Sequence, residues 1–484
     1  MRTVLIAALA LLAVVKPVGA HIGSPDVFFE GRAGEYPLLV VVRMPAMIPG
    51  VASIEVRALV DGARTVRVVP LKIRGLGSDL SPVPDLAERS ADDPKAFRAQ
   101  LWLMQRGAWR MHIVVDGDKG HDELEVPVTA VSSMTRPMSR LLQCLLGTLA
   151  VVLVVGTVAI VGAGVREGSV RPGAEPLAAN VRRARVVMAV ASAVVVSALA
   201  LGDWWWRSVA AEAVAMLYNP PHLSAALASS RTLRLKLGQP NTERWANQLG
   251  LNELVPDHGH LMHLFLIREP GIDVLVHVHP NQERDDEFIQ ELPSMPGGRY
   301  RLYADVVHGT GFSETEIGDL EIPDDVVSGL PDEDDSLAVT MPFVAGPLTG
   351  SAWLSHGAQM LWLDSPTGFQ AGQPLWLKFR VIDRDGRSIE DLEPYMGMAG
   401  HLVVVRVGWK VFARLHPSGT PPIAAVELSN GSTARLHDTH MPISAELTFP
   451  YGFPEAGRYR LFVQIKRSGR IETAVFDAQV SRYP

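Results

Sequence analysis

The sequence predicts a mostly β protein: three β-sandwich domains plus a two-helix transmembrane hairpin. Three observations predict it. Short alternating apolar runs recur through both halves of the chain, two long uncharged stretches interrupt it near the middle, and one strand pattern is repeated downstream of them. A length of 484 residues also asks for about three domains rather than a single core.

The chain opens MRTVLIAALALLAVVKPVGA, in which Arg2 precedes an apolar run and small residues follow, Val18 and Ala20 among them. This is the pattern of a secretory signal peptide over 1–20, and cleavage after it leaves His21 as the new N-terminus. The first ectodomain, 21–135, contains YPLLVVVRM, SIEVRALV and TVRVVPLKI, short strands at the spacing of a β-sandwich. It closes with RGAWRMHIVVDGDKGHDELEVPVTAV, two strands around an Asp-Gly turn.

Residues 141–165 carry no charge and are long enough for a first transmembrane helix, and an apolar run from 186 ending at the Trp204, Trp205 and Trp206 interface gives a second, 186–206. Between them, 166–185 holds Arg166, Arg171, Arg182, Arg183 and Arg185. The positive-inside rule makes this loop cytoplasmic, so both large domains are expected on the extracytoplasmic, periplasmic side of an integral membrane protein. A short juxtamembrane helix is expected over 207–221.

Downstream, GGRYRLYADVVHGTGFSETEIGDLEIP from Gly297 matches AGRYRLFVQIKRSGRIETAVFDAQV from Ala456, and HGHLMHLFLIREPGIDVLVHVHP lies over GMAGHLVVVRVGWKVFARLHP. Two copies of one sandwich therefore follow the hairpin, lobe two at 222–323 and lobe three at 336–484, with the first ectodomain a more distant third relative. The acidic stretch 324–335 reads as a solvated linker between them. Short strands at regular spacing make the sandwiches immunoglobulin-like in class.

Net charge is −7 and no basic face is present, which argues against nucleic acid as a partner. The one cysteine, Cys144, excludes an intrachain disulfide and thiolate-rich metal sites. No nucleophile elbow, His-Glu-x-x-His motif, phosphate loop or dinucleotide fingerprint occurs, so no catalytic residue is assigned.

Histidine is where chemistry concentrates. Five of the 15 histidines, His258, His260, His263, His277 and His279, fall within 257–280. His277 and His279 share one strand face, because side chains two apart point the same way, and a hairpin brings His263 with the His258 and His260 pair towards them. His308 ends a strand of the same lobe. Neutral imidazole is a good ligand for copper or zinc, and a chain without usable thiolate has to rely on it. Lobe three carries Met396, Met398, His401 and His416, a thioether and imidazole set that favours Cu(I). His416 matches His279, while the match to His277 is Ala413 or Arg414, depending on one gap. His437, His440 and Met441 form a further, looser group. In the first ectodomain, the α-amine and ring of His21 form a chelate that one more histidine, His112 or His121, could complete as a T-shaped copper brace.

In its sandwiches, post-signal His21, His-x-His strand and Met-x-Met-x-x-His turn, the chain resembles the CopC-like and YtkA-like bacterial periplasmic copper-binding domains. The CopC-like resemblance implies Cu(II) held by His21 with His112 and Asp116. The YtkA-like resemblance implies fold. Together these readings lead to an expected membrane-anchored, copper-binding envelope protein, a carrier, buffer or sensor, with zinc as the alternative ion. An interaction or assembly module with envelope protein partners and incidental histidines is the second expectation, and a His21-brace copper enzyme the third.

Overall fold

The computed structural model describes residues 21–22, 26–74, 82–135, 138–171, 173–215, 217–229, 231–238, 251, 253–324, 329, 331–343, 348–431 and 443–483. At 21–22 the description is of the backbone only. The expected signal peptide and the His437, His440 and Met441 group lie outside the described residues.

The protein is mostly β, and it divides into two compact units, one of residues 134–217 and one of the rest. The smaller unit is a pair of helices, Arg140–Glu167 and Ala178–Ala215, both long and apolar enough to cross a membrane. They pack on each other where a side chain at Gly162 would collide with Met188. Ser139 caps the first helix by accepting from the Leu142 amide. The second helix extends beyond both ends of the expected 186–206 span. It absorbs 178–185, whose Ala and Arg residues favour helix, and 207–215 of the expected juxtamembrane segment.

In the larger unit the N-terminal segment forms two sheets around one core. Val27–Ala33, Tyr36–Arg43, Gly50–Ala58 and Ala96–Leu103 build one, and Ala63–Lys72, Gly107–Gly117 and Gly120–Ala130 the other. Alternation decides which side chains enter the core: Met111, Ile113 and Val115 do, and His112 does not. This segment packs on lobe three. Phe28 joins the lobe-three core, and the Glu30 amide donates to the Ser418 carbonyl at 2.8 Å.

Lobes two and three share one plan. In lobe two the main sheet runs Ser313–Ile322, Gly298–Val307, His263–Arg268, Val274–Val278, Ser336–Val339. In lobe three the corresponding order is Arg470–Ser481, Gly457–Arg467, His401–Arg406, Val411–Leu415, His21–Ile22. The expected duplication extends to single hydrogen bonds. Tyr300 donates to the Pro296 carbonyl at 2.5 Å, and its counterpart Tyr459 donates to the Glu455 carbonyl at 2.6 Å. The expected lobe boundary is corrected by one strand. Ser336–Val339, placed in lobe three from the sequence, pairs with Val274–Val278 and completes the edge of the lobe-two sheet.

The two main sheets are buried on both faces. Each covers its own lobe's core with one face and the other lobe with the second, so the central strands His263–Arg268, Val274–Val278, His401–Arg406 and Val411–Leu415 are buried at almost every position. Phe265, Leu275 and Tyr303 of lobe two meet Val403, Phe412 and Phe462 of lobe three there, with Tyr303 stacked on Phe412 at 4.0 Å. This interface holds the histidine-bearing ends of the two lobes together.

Candidate metal centre between the two lobes

Each lobe leads into its first central strand through the same tight turn. Asp257 and His260 exchange backbone hydrogen bonds of 2.9 and 3.1 Å around His258 and Gly259, and Tyr395 and Met398 exchange bonds of 2.8 and 3.1 Å around Met396 and Gly397. The central residues have φ of 54° and 88° in the first turn and 50° and 77° in the second. Left-handed backbone at both central positions marks a primed two-residue turn, in which glycine carries no steric penalty. The turns fix the equivalence of the lobes: 257–263 corresponds to 395–401. In the paired hairpins Leu264 faces Val278 and Leu402 faces Leu415, which settles the gap left open by the sequence: Arg414 corresponds to His277 and His416 to His279.

Two histidine triads result. His263, His277 and His279 have ligand nitrogens all within 4.8 Å of one another, and so do His258, His401 and His416. The second triad takes two members from lobe three and His258 from lobe two. This corrects the expectation of one separate site per lobe. The turn carries His258 across the interface, where its ring centroid lies 5.2 Å from those of both His401 and His416. The triads adjoin, with His258 and His263 centred 6.2 Å apart.

In the first triad every ring has one nitrogen tied up from outside. His263 Nε2 lies 3.0 Å from the Asp257 carbonyl, His277 Nδ1 lies 3.2 Å from Gln464 Oε1, and His279 Nδ1 lies 2.9 Å from Asp335 Oδ1. All three outer partners are acceptors. Tyr395 adds a fourth, since its hydroxyl donates to the Asp334 carbonyl at 3.1 Å and offers its oxygen to His277 Nδ1 at 3.1 Å. Each ring therefore places its proton outward and its lone pair inward, and His263 Nδ1 and His277 Nε2 face each other at 3.4 Å. Converging lone pairs repel unless a cation lies between them, so the residues present fit a metal ion. In the second triad neither ring nitrogen of His401 has a hydrogen-bond partner among the described residues, although the ring is buried. Unpartnered buried imidazoles are costly, and a metal bond would remove that cost.

Electrostatics keep these rings neutral. Burial holds the imidazoles of His263, His277, His401 and His416 well below their ordinary range, and the nearby Arg414 guanidinium adds to the effect. Burial lowers His279 as well, partly opposed by Asp335. Burial alone would raise the Asp257 carboxyl, but Arg414, His258 and His416 outweigh it and hold the group down at about 2. Arg414 Nη1 donates to Asp257 Oδ2 at 2.8 Å, and the Ala424 amide donates to Asp257 Oδ1 at 2.9 Å. A neutral imidazole is the ligating form, so the cluster is poised to bind without first shedding protons at neutral pH.

Of the other expected ligands, His260 borders the first triad, stacked on His279 at 4.0 Å, with Nε2 3.5 Å from Asp334 Oδ2. It is about one third exposed, unlike the five buried rings of the triads. His308 stands apart from both triads and pairs with Glu314 at 2.8 Å. Met396 and Met398 lie in the lobe-three turn, Met398 buried. The residues proposed for a copper brace are not assembled as expected. His21 pairs by its backbone with Val411, on a different sheet from His112 and about 16 Å along the strand from His416 at about 3.3 Å per residue. His112 Nδ1 contacts Glu125 at 2.8 Å, and Asp116 partners His121 at 2.6 Å instead.

Sequence reasoning missed Asp257, Asp335, Tyr395, Arg414 and Gln464. Asp335, at the end of the acidic stretch, is buried against His279. A carboxylate beside a histidine-rich strand is the signal that could have found Asp335.

Both triads fall within two matched segments. Residues 224–317 and 357–482 match the family described as a domain of unknown function, DUF8832. The DUF8832 segments contain His258, His263, His277, His279, His401 and His416 together with Arg414 and Tyr395, and leave out Asp334 and Asp335. No curated protein matches the chain. Among solved structures, the chain is similar to a tetra-tandem repeat in the extending region of a large adhesion protein, at 7% identity and a TM-score of 0.15, covering 90% of this chain and 71% of that one. It is also similar to a 1.5-MDa bacterial ice-binding adhesin, at 5% identity and 0.14, covering 90% and 92%. A third is trypsin-activated alpha-2-macroglobulin from Escherichia coli, at 10% identity and 0.15, covering 92% and 26%. Likeness at this level adds nothing to the reading of fold or function.

Proposed function

We propose that the protein is a membrane-anchored, metal-binding protein of the cell envelope that holds copper at the interface of its two C-terminal lobes, as a buffer or sensor of the ion. The observation that carries the reading is the convergence of six histidines, five of them buried, from two lobes into two triads of ligand spacing. Three imidazoles suit copper in either common oxidation state and also Zn(II), which is the alternative ion. Copper is favoured by the methionines in the lobe-three turn and by the resemblance to CopC-like and YtkA-like domains. Two helices of membrane-spanning length support the anchor, and the arginines between them favour a cytoplasmic loop with both large domains outside.

The interface location bears on the role. Ligands buried between two packed sheets exchange slowly, which suits holding or sensing an ion better than rapid handover. An ion bonded to His258 on one side and to His401 and His416 on the other ties the lobes together, so occupancy is coupled to lobe association.

The test uses the full chain in detergent, loaded with Cu(I) under reducing conditions, freed of excess ion and measured by elemental analysis. Two ions per chain are expected, one for each triad. His277→Ala with His279→Ala should remove one of them, and His401→Ala with His416→Ala the other. A wild-type protein that retains neither copper nor zinc sinks the reading.

A further inference from the structure

Resting on that metal reading, we infer that Met396 crosses the interface and supplies a thioether ligand to the His263, His277 and His279 triad. The argument is one of reciprocity. Contacts between two copies of one plan, packed face to face, come in equivalent pairs, as in an isologous dimer. Here Asp257 of lobe two reaches Arg414 of lobe three at 2.8 Å, and its counterpart Tyr395 reaches His277, the counterpart of Arg414, at 3.1 Å. One turn position therefore makes the same crossing in both directions, although the side chains differ.

The next residue in each turn is His258 or Met396. Their backbones agree closely, with φ of 54° and 50°, and both are partly exposed. His258 crosses to His401 and His416. The counterparts of those two residues are His263 and His279, so the same crossing carries Met396 to the first triad. The set becomes three imidazoles and one sulfur.

This deepens the assignment of the ion. A thioether contributes to Cu(I) far more than to Zn(II), because soft sulfur matches the soft monovalent ion. It also makes the two centres unlike. The second triad has His258 where the first has Met396, and the Arg414–Asp257 ion pair where the first has His277 and Tyr395.

The experiment is X-ray absorption at the copper edge on the full chain in detergent, produced with selenomethionine and loaded with Cu(I) to one equivalent and to saturation. A selenium scatterer in the first shell is expected in the wild type, retained in Met398→Leu and lost in Met396→Leu. The Met396→Leu variant should also lose affinity for Cu(I) while keeping that for Zn(II). A first shell of nitrogen alone at both loadings, or a selenium shell that survives Met396→Leu, overturns the inference and leaves the metal reading intact. Absence of bound copper from the wild type overturns the Met396 assignment, and absence of zinc as well defeats the metal reading itself.

Discussion

Arg414 and Asp257 form a buried ion pair across the lobe interface, Nη1 to Oδ2 at 2.8 Å, with both side chains about 5% exposed. The pair stands where His277 and Tyr395 stand in the reciprocal half of the site. Removing one member leaves the other charged and enclosed, at a cost of about 3–5 kcal/mol. Arg414→Leu is therefore expected to lower the free energy of unfolding by that amount in denaturant titration. Asp257→Leu combined with Arg414→Leu should recover much of the loss, because neither charge is then stranded. A double variant as unstable as the sum of the singles would show that the pair is not the coupled unit described.

Asp335 fixes one ligand of the first triad. It accepts from the His279 backbone amide at 3.1 Å and from the ring at 2.9 Å, and Gln290 holds its other oxygen at 3.2 Å. Losing a carboxylate that orients a metal-bound histidine typically costs about 10- to 100-fold in affinity. Asp335→Ala should show that loss in competition with a chromophoric chelator. The second triad should keep its affinity.

The pH dependence of stability without metal follows from the direction of the shifts. His263, His277, His279, His401 and His416 are held below their ordinary value of 6.5, first by burial. Their contribution to stability is present above pH 6.5 and is lost as pH falls, because the unfolded chain then binds protons that the folded chain does not. Glu316 and Asp305 act in the opposite sense, raised by burial to about 8 and about 6, so their contributions are lost as pH rises through those values. Between pH 6.5 and 5 the histidines outnumber them, each adding a slope approaching about 1.4 kcal/mol per pH unit. The denaturation midpoint should therefore drop steeply over that interval, and a flat profile would contradict a neutral buried cluster.

Phe412 tests whether the interface is needed for the centre. Its ring stacks on Tyr303 at 4.0 Å and lies 5.4 Å from Phe265, all three buried between the lobes. Phe412→Ala should cost about 3–5 kcal/mol, as emptied aromatic sites do. Because the second triad splits its imidazoles between the lobes while the first draws all three from lobe two, its ion should be released more readily than that of the first triad.

Much of the architecture was legible from patterning. The alternating runs located the strands, the repeat located the duplication, and the uncharged stretches located both long helices. The histidines of 257–280 were also the right place to look, since five of the seven clustered rings lie there. What the sequence could not convey was the packing of one lobe on the other. Unbroken apolar runs such as HLFLIR and HLVVVR show that a strand is covered on both faces without saying by what. The crossing of His258 into lobe three, the burial of Asp335 and the pairing of Arg414 with Asp257 all depend on that contact. The Ser336–Val339 strand was misassigned for a similar reason, because strand pairing is a long-range choice that four residues do not encode.

The reciprocal turns give the molecule a freedom that a symmetric homodimer lacks. In a dimer of identical chains any substitution appears at both sites at once, so the sites stay alike. Here the two halves are written separately in one chain, and each position at the crossing can change alone. His277 opposite Arg414, and His258 opposite Met396, are such independent choices, and they give the two histidine triads of one interface unlike surroundings.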